Sequence, residues 1–252
     1  CVDLNGDGRV DRIWRPGSGA RSYWASLNQG NGNFASPVIW VAEGLWINGQ
    51  STNSYSWQGK HEYYQDMNGD GLVDRMWIPE GRTDFYVSLN DNGNRFHPPQ
   101  LWLANSSTSV PIYSSNGNLQ RLVDLTGDGL PDWVWNPEGT GGIRENYYVA
   151  VNNGKGFNTP TTWLYNGLGG VNAASETGRH EQYVDVTGDG LPDRVWMPHG
   201  GNNNYYVAIN NGFRFVTPVL WQSSNAGGVT AHSPNGRTGD FVDLNGDGIV
   251  DR

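Results

Sequence analysis

The chain is short of the residues that usually staple, charge or anchor a protein. It has one cysteine, Cys1, in 252 residues, so no disulfide can form within it. Cys1 stands just before the first copy of a repeated phrase, and reads as a small residue before a loop rather than a reactive thiol. No apolar run approaches the roughly 20 residues of a membrane helix, which excludes a helical span. No stretch carries apolar residues at helical spacing, which argues against a helical fold. No leader is visible, and the chain begins inside a motif, as a processed or excised segment would. No basic stripe is present, so no nucleic-acid partner is expected. A nucleophile elbow, a zinc-binding histidine spacing and a phosphate loop are also missing, and the chain is read as non-catalytic.

What is abundant is glycine (36), proline (13) and aromatic side chains (12 Trp, 12 Tyr, 7 Phe), the composition of many short strands joined by tight turns. One acidic phrase occurs five times, with loops beginning at Asp3, Asp66, Asp124, Asp185 and Asp243. Each copy holds three Asp, so fifteen of the 25 acidic residues lie in these loops. Five divalent ions would bring the net charge from −9 to about +1, so the acidity belongs to the loops.

Within each loop, oxygen-bearing side chains fall at positions 1, 3, 5 and 9, and the carbonyl of position 7 can turn inward. The candidate ligands are Asp3, Asn5, Asp7, Arg9 and Asp11; Asp66, Asn68, Asp70, Leu72 and Asp74; Asp124, Thr126, Asp128, Leu130 and Asp132; Asp185, Thr187, Asp189, Leu191 and Asp193; and Asp243, Asn245, Asp247, Ile249 and Asp251. Position 7 contributes only its carbonyl. An all-oxygen set with tolerant geometry suits Ca2+ better than magnesium, which demands a stricter octahedron. Glycines at positions 4 and 6 permit the winding. An EF-hand needs Glu at position 12 and flanking helices; here position 12 is Trp14, Trp77, Trp135 or Trp196, and the flanks are strand-like.

Loop spacings of 63, 58, 61 and 58 residues define the unit. After each loop come a short apolar run (RIWRP, RMWIP, WVWNP, RVWMP), a second run (YWASLN, FYVSLN, YYVAVN, YYVAIN), a glycine- and asparagine-rich turn, and a third run with Phe, Pro and Trp. With the strand before the next loop, that makes four strands per period, the pattern of a β-propeller blade. The expectation is an all-β fold, a β-propeller of four-stranded antiparallel blades with Ca-binding loops between strands 1 and 2. Residues 1–252 would form one array of about four blades, with a partial fifth at 243, as part of a longer propeller. The proline near the last strand fits an outer edge. Copies could also complete each other's split blades, so self-association is expected to be open to the chain.

The phrase D-x-[NT]-G-D-G-x-x-D between strands resembles the FG-GAP/VCBS calcium-loop repeat of integrin α-chain propellers and of the Psathyrella mushroom lectin. The longer consensus, TGDGLPDRVW followed by YYVAINNG, also resembles propellers of Rhs and insecticidal-toxin-complex proteins. Thr126 and Thr187 depart from the Asp or Asn common at position 3, which weakens those two loops. The resemblance implies a secreted or cell-surface calcium-binding recognition module. A carbohydrate-binding, lectin-like role is favoured; a protein-binding or structural section of a toxin-like protein is the alternative, and an accessory part of an enzyme such as a polysaccharide lyase is a third.

Eight tryptophans (14, 40, 77, 102, 135, 163, 196 and 221) occupy two fixed positions in the unit and are expected to pack between blades. Trp24, Trp46, Trp57 and Trp133 lie off the pattern; Trp46 and Trp57, in the long variable stretch 41–61, are the ligand-contact candidates. The variable stretches 103–119, 164–180 and 222–238 read as solvated connections. His61-Glu62 and His180-Glu181 recur before strand 1 and are assigned to strand-end hydrogen bonding rather than acid–base work. Asn105-Ser106-Ser107 is a lone glycosylation triplet.

Overall fold

The computed structural model describes residues 2–17, 22–41, 45–47, 50–52, 56, 61–107, 110–114, 119–137, 146–175, 181–200, 203–224 and 241. The chain forms two compact units, one comprising Cys1–Ser109 with Asn152–Phe157, the other Val110–Val151 with Asn158–Arg252.

The first unit holds a three-stranded sheet, β1 (Arg12–Trp14), β2 (Tyr23–Ser26) and β3 (Val38–Val41), a two-stranded hairpin, β4 (Leu45–Ile47) and β5 (Gln50–Thr52), and a four-stranded sheet, β6 (Glu62–Gln65), β7 (Asp74–Trp77), β8 (Phe85–Ser88) and β9 (Gln100–Leu103). The second unit holds two four-stranded sheets, β10 (Gln120–Val123), β11 (Asp132–Trp135), β12 (Tyr147–Ala150), β13 (Thr161–Leu164), and β14 (Glu181–Val184), β15 (Asp193–Trp196), β16 (Tyr205–Ala208), β17 (Val219–Gln222). Every sheet is an antiparallel meander in chain order. These are the expected propeller blades, numbered one to four below. In blade one, Val2 bridges Asp11 in antiparallel fashion ahead of β1. No helix among the described residues is long and apolar enough to cross a membrane.

The strands form where the period predicts, because aromatic and β-branched residues fill them and Gly or Asn turns bound them. Prolines 37, 98, 160 and 218 precede the outermost strand of each blade, where a missing N–H disturbs no ladder. Each blade has a register shift at one place between strands 3 and 4: Tyr23/Trp24, Phe85/Tyr86, Tyr147/Tyr148 and Tyr205/Tyr206. In blades one and three the first residue of strand 3 reaches the glutamate of the next blade, Tyr23 to Glu62 and Tyr147 to Glu181.

The hairpin β4–β5 was not anticipated, since 41–61 read as a connection. Its signal was present as Asn48-Gly49 between Leu45-Trp46-Ile47 and Gln50, the dipeptide that favours a two-residue turn.

Cores form within each unit. Six of the eight patterned tryptophans (40, 77, 102, 135, 163 and 196) are buried, as packing between blades requires. Trp14 is half-buried and Trp221 is exposed, and these are the two that depart. Trp133, off the pattern, is wholly buried.

Candidate functional site

Four loops are described; those at 66, 124 and 185 join strand 1 to strand 2 as expected, and the first leads into β1 from the Val2↔Asp11 bridge. Their winding is set by the position-1 aspartate. In the second loop, Asp66 Oδ1 accepts the N–H groups of Gly69 and Asp70, and Oδ2 accepts that of Gly71 at 2.7 Å. Asp3, Asp124 and Asp185 repeat the pattern. The glycines at positions 4 and 6 have φ between +73° and +88°, which is open to glycine and strained for other residues. Position 5 closes the second turn: Asp7, Asp70, Asp128 and Asp189 each accept the N–H of position 7 through Oδ1.

Position 3 lies beside position 5. Asn68 Nδ2 donates to Asp70 Oδ2 at 3.0 Å, and Asn5 to Asp7 at 3.2 Å. Thr187 Oγ1 donates to Asp185, whereas Thr126 Oγ1 is shielded from solvent and has no hydrogen-bond partner. Positions 1, 3 and 5 therefore gather two carboxylates and an amide or hydroxyl within each loop.

Position 9 is placed differently. Asp11, Asp74, Asp132 and Asp193 are fully buried. Their Oδ2 atoms accept the position-2 N–H of Leu4, Met67, Leu125 and Val186. Oδ1 of Asp11, Asp74 and Asp193 accepts the N–H of Asn28, Asn90 and Asn210, each at 2.7 Å. This residue ties the loop to the hairpin between strands 3 and 4, a role the spacing did not reveal. Burial, reinforced by the charges of Asp70 and Asp66, pushes the Asp74 carboxyl up to about 6, and Asp193 shifts upward for the same reasons. Burial also opposes ionisation of Asp185, but the N–H groups of Gly190, Gly188 and Thr187 win and lower its pKa.

The position-7 side chains serve packing or charge. Leu72 lies over Gly6, and Leu191 over Gly127, so close that a Cβ on either glycine would meet the leucine at 3.1 and 2.9 Å. Arg9 instead turns onto its own loop and pairs with Asp7 at 3.2 Å. Among the described residues no three His, Cys, Asp or Glu side chains converge on one point. Each loop offers a mixed oxygen set of two carboxylates, an amide or hydroxyl and a carbonyl, the donor chemistry a hard cation takes, and the Thr126 hydroxyl is left without a partner. Asp243, Asn245, Asp247, Ile249 and Asp251 lie outside the described residues, as do Trp57 and His180. Trp46 is on β4, paired with Ser51.

A second constellation escaped sequence reading. Glu181 is buried beside Arg194, with Arg194 Nη2 donating to Glu181 at 3.2 Å and to the Ala173 carbonyl at 2.7 Å. The hydroxyls of Tyr147 and Tyr183 donate to the same carboxylate. Arg194 Nε and Nη1 have no hydrogen-bond partner, and the guanidinium lies over the rings of Tyr147 and Trp196, at 3.7 and 4.2 Å. Burial opposes the Glu181 charge, but Arg194 and the hydroxyl donors prevail and hold it below the ordinary value. Glu62, Arg75, Tyr23, Tyr64 and Trp77 repeat this set in the first unit. The His-Glu pairs thus resolve into a backbone role for His61, whose carbonyl accepts the Ile78 N–H, and a buried ion-pair role for both glutamates. The missed signal was the joint recurrence of H-E before strand 1 and D-R after the loop.

Two equivalent grooves, each about 360 Å³, lie one in each unit. The first has Trp40 and Phe96 at its base and Ser88, Arg95 and His97 on its walls. The second has Trp163 and Phe215, with Thr162, Arg214 and Thr217. In both, an edge-on Trp–Phe pair lines the groove together with the arginine that precedes the Phe, and Arg95 pairs with Asp91 at 3.3 Å.

No protein-family model matches the sequence, and no curated protein matches it significantly. Among solved structures, the chain is similar to an Agrocybe aegerita lectin described for its specific recognition of non-reducing terminal N-acetylglucosamine. The identity is 26%, with a TM-score of 0.61 over 88% of this chain and 50% of that one. The chain thus spans about half the length of that lectin. It is also similar to the Photorhabdus luminescens Tc holotoxin pore, at 15% identity and a TM-score of 0.47 over 99% of this chain and 13% of that one.

Proposed function

We propose that the chain is a non-catalytic recognition module whose blades bind glycans, with terminal N-acetylglucosamine the first ligand to test. The observation that carries this is the 26% identity and shared fold with the Agrocybe aegerita lectin. The two grooves give the reading a physical basis. A sugar ring offers an apolar face to an aromatic or aliphatic wall, and its hydroxyl and acetamido groups take the guanidinium and hydroxyl groups of the rim. Their occurrence in both units makes binding multivalent, so weak single sites would add up on a surface dense in glycan.

In the same reading the acidic loops hold calcium outside the cytosol, where the ion is abundant. Positions 1, 3 and 5 and the position-7 carbonyl would hold it, with water completing the shell. The ion would supply charge neutralisation and loop rigidity, not chemistry on a substrate. The first loop would be the weakest, because Arg9 already neutralises Asp7.

The test is a titration with methyl N-acetylglucosaminide, followed by NMR, for the wild type and for Arg95→Ala/Arg214→Ala. Saturable shifts below about 10 mM that weaken at least tenfold in the double variant are expected. No binding by the wild type at that concentration, or equal binding by both proteins, overturns the groove assignment.

A further inference from the structure

We infer that the groove of the second unit takes a sugar bearing an anionic group, a carboxylate or a sulfate, on the guanidinium of Arg214, and that the groove of the first unit does not. The inference rests on the glycan reading and names the class of sugar for one of its two sites.

The two grooves match in position but not in charge. In each hairpin the residue after the anchoring asparagine closes the turn, Asp91 after Asn90 and Asn211 after Asn210. Each donates its N–H to the carbonyl of the groove arginine, Asp91 to Arg95 at 2.7 Å and Asn211 to Arg214 at 3.2 Å. The side chains then differ. Asp91 meets the basic groups of its groove: Oδ2 is 3.3 Å from Arg95 Nε, and Oδ1 is 3.7 Å from His97 Nε2. Asn211 Oδ1 instead accepts the N–H groups of Phe213 and Arg214, at 3.1 and 3.0 Å. An amide carries no charge, and among the described residues the Arg214 guanidinium makes no ion pair or hydrogen bond.

The magnitudes favour the second groove for an anion. The Arg95–Asp91 pair is exposed and weak by itself. Its carboxylate nonetheless stays on the same hairpin as Arg95 and repels an incoming anion whether or not the pair is formed. Arg214 faces no such acid. It offers a permanently charged planar fork that matches the paired oxygens of an oxyanion.

The rest of that groove suits a ring. Tyr165 lines it and is 60% exposed. Thr162 and Thr217 add hydroxyls to the lining where the first groove has Ile39 and Pro98. The turn after Tyr165 packs directly on the segment that carries Arg214: a Cβ on Gly169 would meet Thr217 Cγ2 at 2.9 Å. The aromatic ring and the cation are therefore held on two segments braced against each other.

The test is an NMR titration of the full chain with methyl β-D-glucuronide, glucose 6-sulfate and the neutral methyl β-D-glucoside, all at one ionic strength. At least one of the two charged sugars is expected to bind about tenfold or more tightly than the glucoside, with shifts centred on Tyr165 and Thr217. Which of them binds tells a carboxylate partner from a sulfate. Arg214→Gln and Asn211→Asp should each bring that ratio to about one. The first removes the cation, and the second gives the hairpin the acid that Asp91 supplies in the other groove. Tyr165→Ala should weaken charged and neutral sugars alike. Equal affinity for charged and neutral sugars in the wild type, a preference that survives either hairpin substitution, or shifts centred on Arg95 and His97 overturns the inference and leaves the glycan reading standing. Binding of none of these sugars, nor of methyl N-acetylglucosaminide, removes that reading as well. Asn211→Asp installs the residue already present in the other hairpin, so a free-protein spectrum matching the wild type's separates loss of charge complementarity from loss of fold.

Discussion

Removing the charge of Glu181 should be among the most damaging conservative changes in the chain. The carboxylate is buried with Arg194, and two tyrosine hydroxyls donate to it. Glu181→Gln leaves the guanidinium in place with no counter-charge. Its Nε and Nη1 already lack hydrogen bonds, so little remains to compensate. Breaking one side of a buried pair costs about 3–5 kcal/mol, which in a domain of this size lowers the melting temperature by roughly 6–20 °C. Blade three shows the alternative. Gln120 and Trp133 occupy the places of Glu181 and Arg194, and the Trp133 indole donates to the Ile112 carbonyl as Arg194 donates to Ala173. Glu181→Gln/Arg194→Trp should therefore cost less than Glu181→Gln alone. The pH dependence has a fixed sign. The folded-state pKa of Glu181 lies below the ordinary 4.5, so its contribution is complete above that value and is lost as pH falls through the folded pKa. The gap between wild type and Glu181→Gln should be constant near neutrality and close below about pH 4.5. Urea melts at pH 7 and pH 3.5 measure both. A Glu181→Gln cost under about 1 kcal/mol at pH 7, or a double variant less stable than the single, refutes the argument.

Further outcomes follow from the loops and hairpins. Asp193→Asn puts an amide donor where two N–H groups converge, from Val186 and Asn210, and should cost about 1–3 kcal/mol by urea unfolding even in chelator. Asn210→Ala removes donors from the Leu125 and Pro192 carbonyls and the acceptor for Gly212, for a similar loss of about 1–3 kcal/mol. If the loops hold calcium, millimolar calcium should raise the melting temperature over that in EDTA, by the equivalent of about 2.7 kcal/mol at a hundredfold excess over Kd. Magnesium should do much less, and a melt indifferent to both metals removes the cation from the reading.

Much of the architecture is legible in the linear order of residues. A loop with glycines at positions 4 and 6 and aspartates at 1 and 5 winds through local contacts, and the N–H groups those two aspartates accept lie within five residues. The strands follow from aromatic runs between such turns, and four per period gives the blade. The β4–β5 hairpin carried its own Asn-Gly signal and was passed over because it breaks the repeat. The tie that position 9 makes to the hairpin was hidden for a different reason. Its three-dimensional partners in the hairpin are 16 or 17 residues away, and spacing within the loop says nothing about them.

The sequence by itself determined the repeat, the blade and the acidic loops, because each is specified by neighbours a few residues apart. Only the tertiary structure decided which aspartate faces inward and which glutamate meets which arginine. Those are contacts between residues more than a dozen positions apart, and no local phrase specifies them.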